Sequence, residues 1–194
     1  MFVRRILEST ESLRAVDGPA ATVQRSVRRV LGRGGLDRFL RGSWLGHPVH
    51  PLLVAVPIGA WTCSAVFDIG FDQPVAARRL ILVGLAATPP TVVTGLADFS
   101  RLNPTQRRVA LLHAGANVVA AGLYVRAVTC RNRSASRVWA CAGLAALAAG
   151  GALGGHLSYA LGAGVGRWQQ TAAQSGRNPD RHEYDPARAG SAQW

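Results

Sequence analysis

The sequence predicts an all-α integral membrane protein, a four-helix bundle preceded by an N-terminal amphipathic interfacial helix. Of its 194 residues, 48% are hydrophobic and only 16% are charged, which is a low charged fraction for a soluble domain. The apolar residues between positions 48 and 165 fall into four stretches, each long enough to cross a bilayer. Arginines gather at the ends of these stretches, where positive charge meets lipid headgroups.

Residues 1–46 form an arginine-rich N-terminal segment. It contains nine arginines, and apolar residues that include Leu36, Phe39, Leu40 and Trp44 recur at helical spacing towards its end. A basic amphipathic stretch with a tryptophan just before a span is typical of an interfacial helix. We expect the part up to about residue 26 to be a disordered tail.

The first predicted span covers about 48–69. Pro48 and Pro51 suit the start of a helix, because backbone amides in the first turn have no helical partner to lose. His47 then lies near the N-cap and His50 in the first turn.

The second predicted span covers about 79–99 and carries Pro89 and Pro90 at mid-depth, which predicts a kink. Asp98, close to its end, is an acidic group at membrane depth. A headgroup position and a buried role for Asp98 both stay open.

The third and fourth predicted spans cover about 109–129 and 138–165. On the third, His113 and Asn117 share one stripe. The fourth is rich in glycine and alanine, and such small residues let another helix or a flat ligand approach the backbone closely. The polar residues 167–194, which include His182, predict a disordered tail outside the membrane. No inverted repeat of the kind found in transporters can be traced.

The arginine count predicts the topology. Sixteen arginines lie on the side of the two termini and six on the other side. The positive-inside rule then places both termini in the cytoplasm, with the chain in a bacterial cytoplasmic membrane. This orientation puts four of the five histidines in the cytoplasmic half. Counted from flanking arginines, His113 lies about 7 Å deep and His156 about 16 Å.

These four histidines predict a cofactor site. An ionisable group in the membrane costs about 2 to 3 kcal/mol or more, so a cluster on one side indicates a function. His113 and His156 fit the two axial ligands of haem b, with small residues beside them and with Asn117 placed to orient a ring. Simple hydrogen bonding between helices is the alternative.

His47 and His50 form a second, more ambiguous pair. With Asp98 they would make a mixed His/Asp site for iron, zinc or manganese. They also suit a second haem, or hydrogen bonds to haem propionates. The spacing does not choose among these uses.

The chain resembles an uncharacterised family of bacterial four-span membrane proteins, a domain of unknown function. The resemblance covers about residues 40–165 and is strongest at Gly46-His-Pro-Val-His-Pro51, which begins a GHPxHPxLVxxPIGxW motif. Shorter matches are Asp68, Gly95-Leu-Ala-Asp98, His113, Asn117, Tyr124 and Gly154-Gly-His-Leu-Ser-Tyr159. The resemblance implies that the histidines are family features. Some members are joined to Rieske-type iron–sulfur domains, and because this chain has no Rieske motif, a redox partner would be a separate protein.

The sequence thus favours a membrane haem protein that exchanges electrons with a quinone and with an iron–sulfur or other redox partner. A redox carrier or subunit is expected rather than a stand-alone enzyme. The alternatives are a non-redox subunit or scaffold of a larger complex and a metal-handling membrane protein. Lipid is an expected partner, a homo-oligomer or a larger assembly is compatible, and nucleic acid is not expected, because the arginines follow the span ends.

Overall fold

The computed structural model describes residues 2–31 and 34–164, and the regular structure in these ranges is entirely helical. The predicted all-α class is therefore confirmed. The predicted tail at 167–194, including His182, lies outside the described residues. The helices are α1 (Phe2–Glu11), α2 (Asp17–Val30), α3 (Gly34–Leu40), α4 (Val49–Ala65), α5 (Pro74–Phe99), α6 (Pro104–Thr129) and α7 (Arg133–Gly155).

Four of these helices are long and apolar enough to cross a membrane, which confirms the predicted bundle of four spans. Helices α4 and α7 each continue into one π-helical turn, at Val66–Gly70 and His156–Ala160. The candidate spans are Val49–Gly70, Pro74–Phe99, Pro104–Thr129 and Arg133–Ala160. Large apolar side chains such as Leu52 and Val118 are exposed on their outer faces, as lipid contact requires.

The spans pack as two antiparallel hairpins. We call α4 with α5 the first hairpin and α6 with α7 the second. The hairpins meet where α5 contacts α6 and where α4 contacts α7. Between them lies a core that contains Trp61, Ile81, Tyr124 and Leu147. Helices α4 and α6 start, and α5 and α7 finish, at one end of the bundle, which we call the histidine end.

The last three spans begin about five residues before the predicted starts, because their flanking arginines lie inside the helices. Pro74 and Pro104 each stand in a first turn, where a proline loses no helical hydrogen bond. Asn103 caps α6 by accepting a hydrogen bond from the Gln106 amide, and Asn132 caps α7 in the same way. These caps fix the starts of α6 and α7.

The expectation of a disordered tail up to about residue 26 is wrong, because α1 and α2 are helices that dock on the bundle. Gln24 is only 6% exposed and donates hydrogen bonds to carbonyls just after α5, including Leu102 at 3.0 Å. Arg108 of α6 holds the Asp17 carboxylate with two hydrogen bonds of 2.7 Å. These partners lie 78 and 91 residues away along the chain, so local composition gives no sign of them.

The segment from α3 to the first span carries the apolar side chains of the predicted interfacial helix. Leu36, Phe39 and Trp44 are all exposed. The Trp44 indole stacks on Phe39 and donates its Nε1 hydrogen to the Phe39 carbonyl at 3.1 Å. Exposed aromatic groups on a basic segment next to a span suit the interfacial region of a bilayer.

Candidate cofactor site at the histidine end

His50 lies in the first turn of α4 and packs against the backbone of α5. Its Nδ1 is 3.0 Å from the Thr91 carbonyl oxygen. Because a carbonyl only accepts, Nδ1 carries the hydrogen and Nε2 keeps its lone pair. Gly95 makes the contact feasible, since a Cβ atom at that position would lie 2.9 Å from Cε1 of the ring.

His113 makes the same kind of contact in the second hairpin. Its Nδ1 donates to the Gly150 carbonyl oxygen at 2.7 Å. A Cβ atom at Gly154 would lie 2.9 Å from Cε1 of the ring. Gly150 and Gly154, which belong to the small residues expected to leave space for a flat ligand, therefore let the imidazole pack against α7.

Asn117 lies over the ring of His113. Its side-chain nitrogen donates to the His113 carbonyl oxygen at 2.8 Å and is 3.4 Å from Nδ1 and 3.3 Å from Nε2. A donor almost equally far from both ring nitrogens lies above the ring face, because in the ring plane it would overlap Cε1. Asn117 therefore restricts the ring without taking the Nε2 lone pair.

His156 opens the π-helical turn after α7 and binds the N-terminal segment. Its Nε2 donates to Oε1 of Glu11 at 2.8 Å, and the side chain is 8% exposed. The ring nitrogen that would ligate iron is thus hydrogen-bonded to a carboxylate of α1. Sequence reasoning missed Glu11, because nothing in its local sequence marks it as a histidine partner.

The predicted depths of His113 and His156 are reversed. His113 contacts α7 at Gly150 and Gly154, whereas His156 follows two residues further towards the histidine end. The estimate counted from arginines at 108 and 167, but α6 begins at Pro104 and the last helical turn finishes at Ala160. Arginines are poor depth markers where a helix extends past them.

His47 and Asp98 do not join His50 in a three-ligand site. His47 is exposed in the loop before α4, and its carbonyl packs against Gly42, where a Cβ atom would overlap it. Asp98 lies 3.6 Å from Nη1 of Arg41. Within residues 2–31 and 34–164, no group of three or more His, Cys, Asp or Glu side chains is arranged to hold a metal ion.

A buried arginine closes the histidine end. Arg41 is 7% exposed and Asp37 is 6% exposed, and they pair at 2.7 Å. Arg41 also donates to the Ala97 carbonyl and to the Ser100 hydroxyl. Burial raises the pKa of Asp37, but the hydrogen bonds from Arg41 and Arg101 outweigh it and bring the pKa below its ordinary value.

The family comparison agrees with this four-span architecture. A family model described as "Predicted membrane protein (DUF2231)" matches residues 46–167, more than half of the chain. The chain belongs to this family. No curated protein and no solved structure matches the chain.

The predicted family resemblance is thereby confirmed, and the DUF2231 match contains all four spans and the four histidines of the membrane region. The family description specifies a membrane protein. Lipid contact is therefore part of the chain's environment, and the exposed apolar outer faces fit it.

Proposed function

We propose that this DUF2231 protein binds haem b through its membrane histidines and carries single electrons between a quinone and a separate redox partner. The observation that supports the proposal is the hydrogen bonding of the His113 ring. Its Nδ1 hydrogen is committed to the Gly150 carbonyl, which fixes the tautomer with a free Nε2 lone pair. Metal-ligating histidines are typically held in this way.

The donor set fits haem better than a small metal ion. The described residues contain no group of three or more ligands arranged as a structural zinc site needs. Two imidazoles suffice for haem iron. Haem would supply a one-electron redox centre in the membrane. The chain's own residues orient the His113 ring through Gly150 and Asn117.

If two histidine side chains held the haem, the chemistry that it would supply is one-electron transfer rather than oxygen chemistry. We further propose that the chain lies in a bacterial cytoplasmic membrane with both termini in the cytoplasm. The support is the arginine count of sixteen against six. The histidine end then faces the cytoplasm, where a soluble or membrane-bound iron–sulfur partner would exchange electrons with it.

The test is a reduced-minus-oxidised visible spectrum of the purified full chain after expression with ample haem, with metal analysis of the same sample. We expect the sharp α-band of a low-spin b-type haem at about one haem per chain. Stoichiometric iron, zinc or manganese without haem would overturn the proposal in favour of a metal-handling protein. Neither haem nor metal would overturn it in favour of a non-redox subunit.

A further inference from the structure

The two hairpins are direct repeats of each other. The tetrapeptide Gly-Leu-Ala-Ala occurs at 84–87 in α5 and at 143–146 in α7. In each copy an arginine lies six residues before the glycine of the tetrapeptide, and a second glycine lies eleven residues after it. In α4 and α6 a histidine is followed by a glycine nine residues later and by an aromatic residue eleven residues later. The corresponding pairs are Arg78/Arg137, Gly95/Gly154, His50/His113, Gly59/Gly122 and Trp61/Tyr124.

The contacts repeat as well as the residues. In each hairpin the histidine donates to a carbonyl of the second helix and lies against the glycine four residues later. In each hairpin the aromatic residue covers the glycine of the tetrapeptide. Trp61 lies over Gly84, and Tyr124 lies over Gly143. The same register of helix against helix therefore occurs twice.

The hairpins also bind each other reciprocally. Arg78 of the first hairpin donates to the Val128 carbonyl of the second, and Arg137 of the second donates to the Asp68 carbonyl of the first. Trp61 and Tyr124 stack on each other with ring centroids 4.4 Å apart and planes 19° from parallel. The two acceptor carbonyls differ by three residues in the repeat, because Val128 corresponds to position 65, so this exchange of contacts comes close to the one that a two-fold relation requires. Because both hairpins run in the same direction, the pseudo-two-fold axis follows the bundle.

The stacked aromatic pair fixes which faces of α4 and α6 meet at this axis. Eleven residues correspond to about three helical turns, so each histidine projects from nearly the same face as the aromatic residue of its helix. The imidazoles therefore lie towards the axis, about 16 Å from the stack along the helices.

We infer that His50 and His113, related by this pseudo-two-fold axis, are the two axial ligands of one haem. The inference rests on the proposed function and assigns its ligand pair. Each ring has its Nδ1 hydrogen on a backbone carbonyl, and the Asn117 nitrogen that lies 3.3 Å from Nε2 of His113 is over the ring rather than in its plane. His156 is the poorer candidate, because its Nε2 is held by Glu11. Because the two hairpins hold their histidines in the same way, the two imidazoles would reach the haem from opposite sides.

Single-histidine variants of the full chain test the pair. We expect His50→Ala and His113→Ala each to convert the low-spin haem to a high-spin form, seen in the visible spectrum and by electron paramagnetic resonance. Free imidazole, entering the space left by the missing side chain, should restore the low-spin spectrum in both variants. His156→Ala should keep the low-spin spectrum. Restoration by imidazole separates the loss of a ligand from a failure to fold.

A low-spin spectrum that survives His50→Ala but not His156→Ala would overturn the ligand pair and leave the haem proposal standing. Absence of haem from the wild-type protein would overturn the proposed function, and the pair with it. Gly95→Leu offers a second test, because a larger side chain must displace the His50 ring. Gly59→Leu is its control, since Gly59 faces open space. Equal spectra for the two leucine variants would contradict the assignment of His50.

Discussion

The two hairpins share their histidine and aromatic contacts but differ in proline content. The three prolines beyond the first turns of α4 and α5, Pro57, Pro89 and Pro90, have alanine at the corresponding positions of the second hairpin, at 120, 148 and 149. The histidine, the aromatic residue and the seating glycines are present in both. The contacts of the histidine and of the aromatic residue are thus repeated, whereas the prolines that interrupt helical hydrogen bonding lie in the first hairpin.

A second difference lies in the hydrogen bonding of the two aromatic residues, Trp61 and Tyr124. Trp61 donates its Nε1 hydrogen to the Ile81 carbonyl at 3.2 Å. The Tyr124 hydroxyl is buried and has no hydrogen-bond partner among the residues that the structure describes. The first hairpin therefore holds its aromatic residue by packing and a hydrogen bond, and the second by packing alone. Equivalent positions in a repeat need not carry equal energies.

The N-terminal segment makes the largest distinction between the hairpins. It binds position 97 of the first hairpin through the buried Arg41, and the corresponding position of the second, His156, through the partly exposed Glu11. Removing one partner of a buried ion pair costs about 3 to 5 kcal/mol, because the other charge stays buried. We expect Arg41→Ala to lower the free energy of unfolding by about 3 kcal/mol and Glu11→Gln by less than about 1 kcal/mol.

Thermal unfolding in a mild detergent measures both changes. Arg4→Ala is a suitable control, because the Arg4 side chain is 82% exposed and pairs with Glu8 of its own helix. Equal losses of unfolding free energy for Arg41→Ala and Glu11→Gln would contradict this prediction, because the N-terminal segment would then stabilise the two hairpins equally.

The tetrapeptide glycines give an intermediate effect. A Cβ atom at Gly84 would overlap the Trp61 indole, whereas at Gly143 it would lie 3.0 Å from Cε2 of Tyr124. Overpacking a core costs about 1 to 3 kcal/mol. We expect Gly84→Ala to cost about 2 to 3 kcal/mol and Gly143→Ala about 1 kcal/mol, because the Tyr124 ring has no hydrogen bond to lose when it shifts.

The matched controls are Gly59→Ala and Gly122→Ala, since both glycines face open space at corresponding positions of α4 and α6. These two changes should stabilise the helices by about 0.4 to 1 kcal/mol. If Gly143→Ala cost more than Gly84→Ala, the assignment of the tighter packing to the first hairpin would be wrong.

The smallest predicted effect is a pH dependence of the contact between α2 and the second hairpin. The hydrogen bonds from Arg108 lower the pKa of Asp17 below its ordinary value. A carboxylate with a lowered folded-state pKa stabilises the docked state fully above its unfolded pKa and loses that effect as the pH falls through the folded value. We therefore expect α1 and α2 to be released only below about pH 4.

Hydrogen exchange of residues 2–31 in lipid nanodiscs, followed from about pH 7 to about pH 3, measures this release. Asp17→Asn should exchange faster at neutral pH and respond less to acid than the wild type. Release that begins on raising the pH, or an identical acid response in both proteins, would contradict the role given to Asp17.

The sequence predicted the fold well because lipid imposes simple rules. A span must be long, apolar and helical, so composition alone located the four spans. The N-terminal helices escaped prediction because polar contacts dock them. Gln24 and Asp17 bind groups 78 and 91 residues away, and a single sequence carries no mark of such pairing.

The candidate site was only partly predictable. The cost of burying histidines marked the four side chains, but it could not say which ring nitrogen is engaged. Glu11, Thr91 and Gly150 are ordinary residues until the helices pack. The repeat itself was readable in the two Gly-Leu-Ala-Ala segments. A search for inverted repeats passes over it, because both copies run in the same direction.

The docked N-terminal segment can reach its binding sites only late in the synthesis of the chain. Residues 1–46 leave the ribosome before the four spans, yet their binding sites are made later. The carbonyl of Leu102, which Gln24 binds, follows the second span. Arg108 lies near the start of the third span, and His156 lies in the last turn of the fourth. The nascent segment must therefore wait at the membrane surface while the spans insert. Its helices close over the bundle only after insertion is complete, so this closure reports that the last span has reached its place.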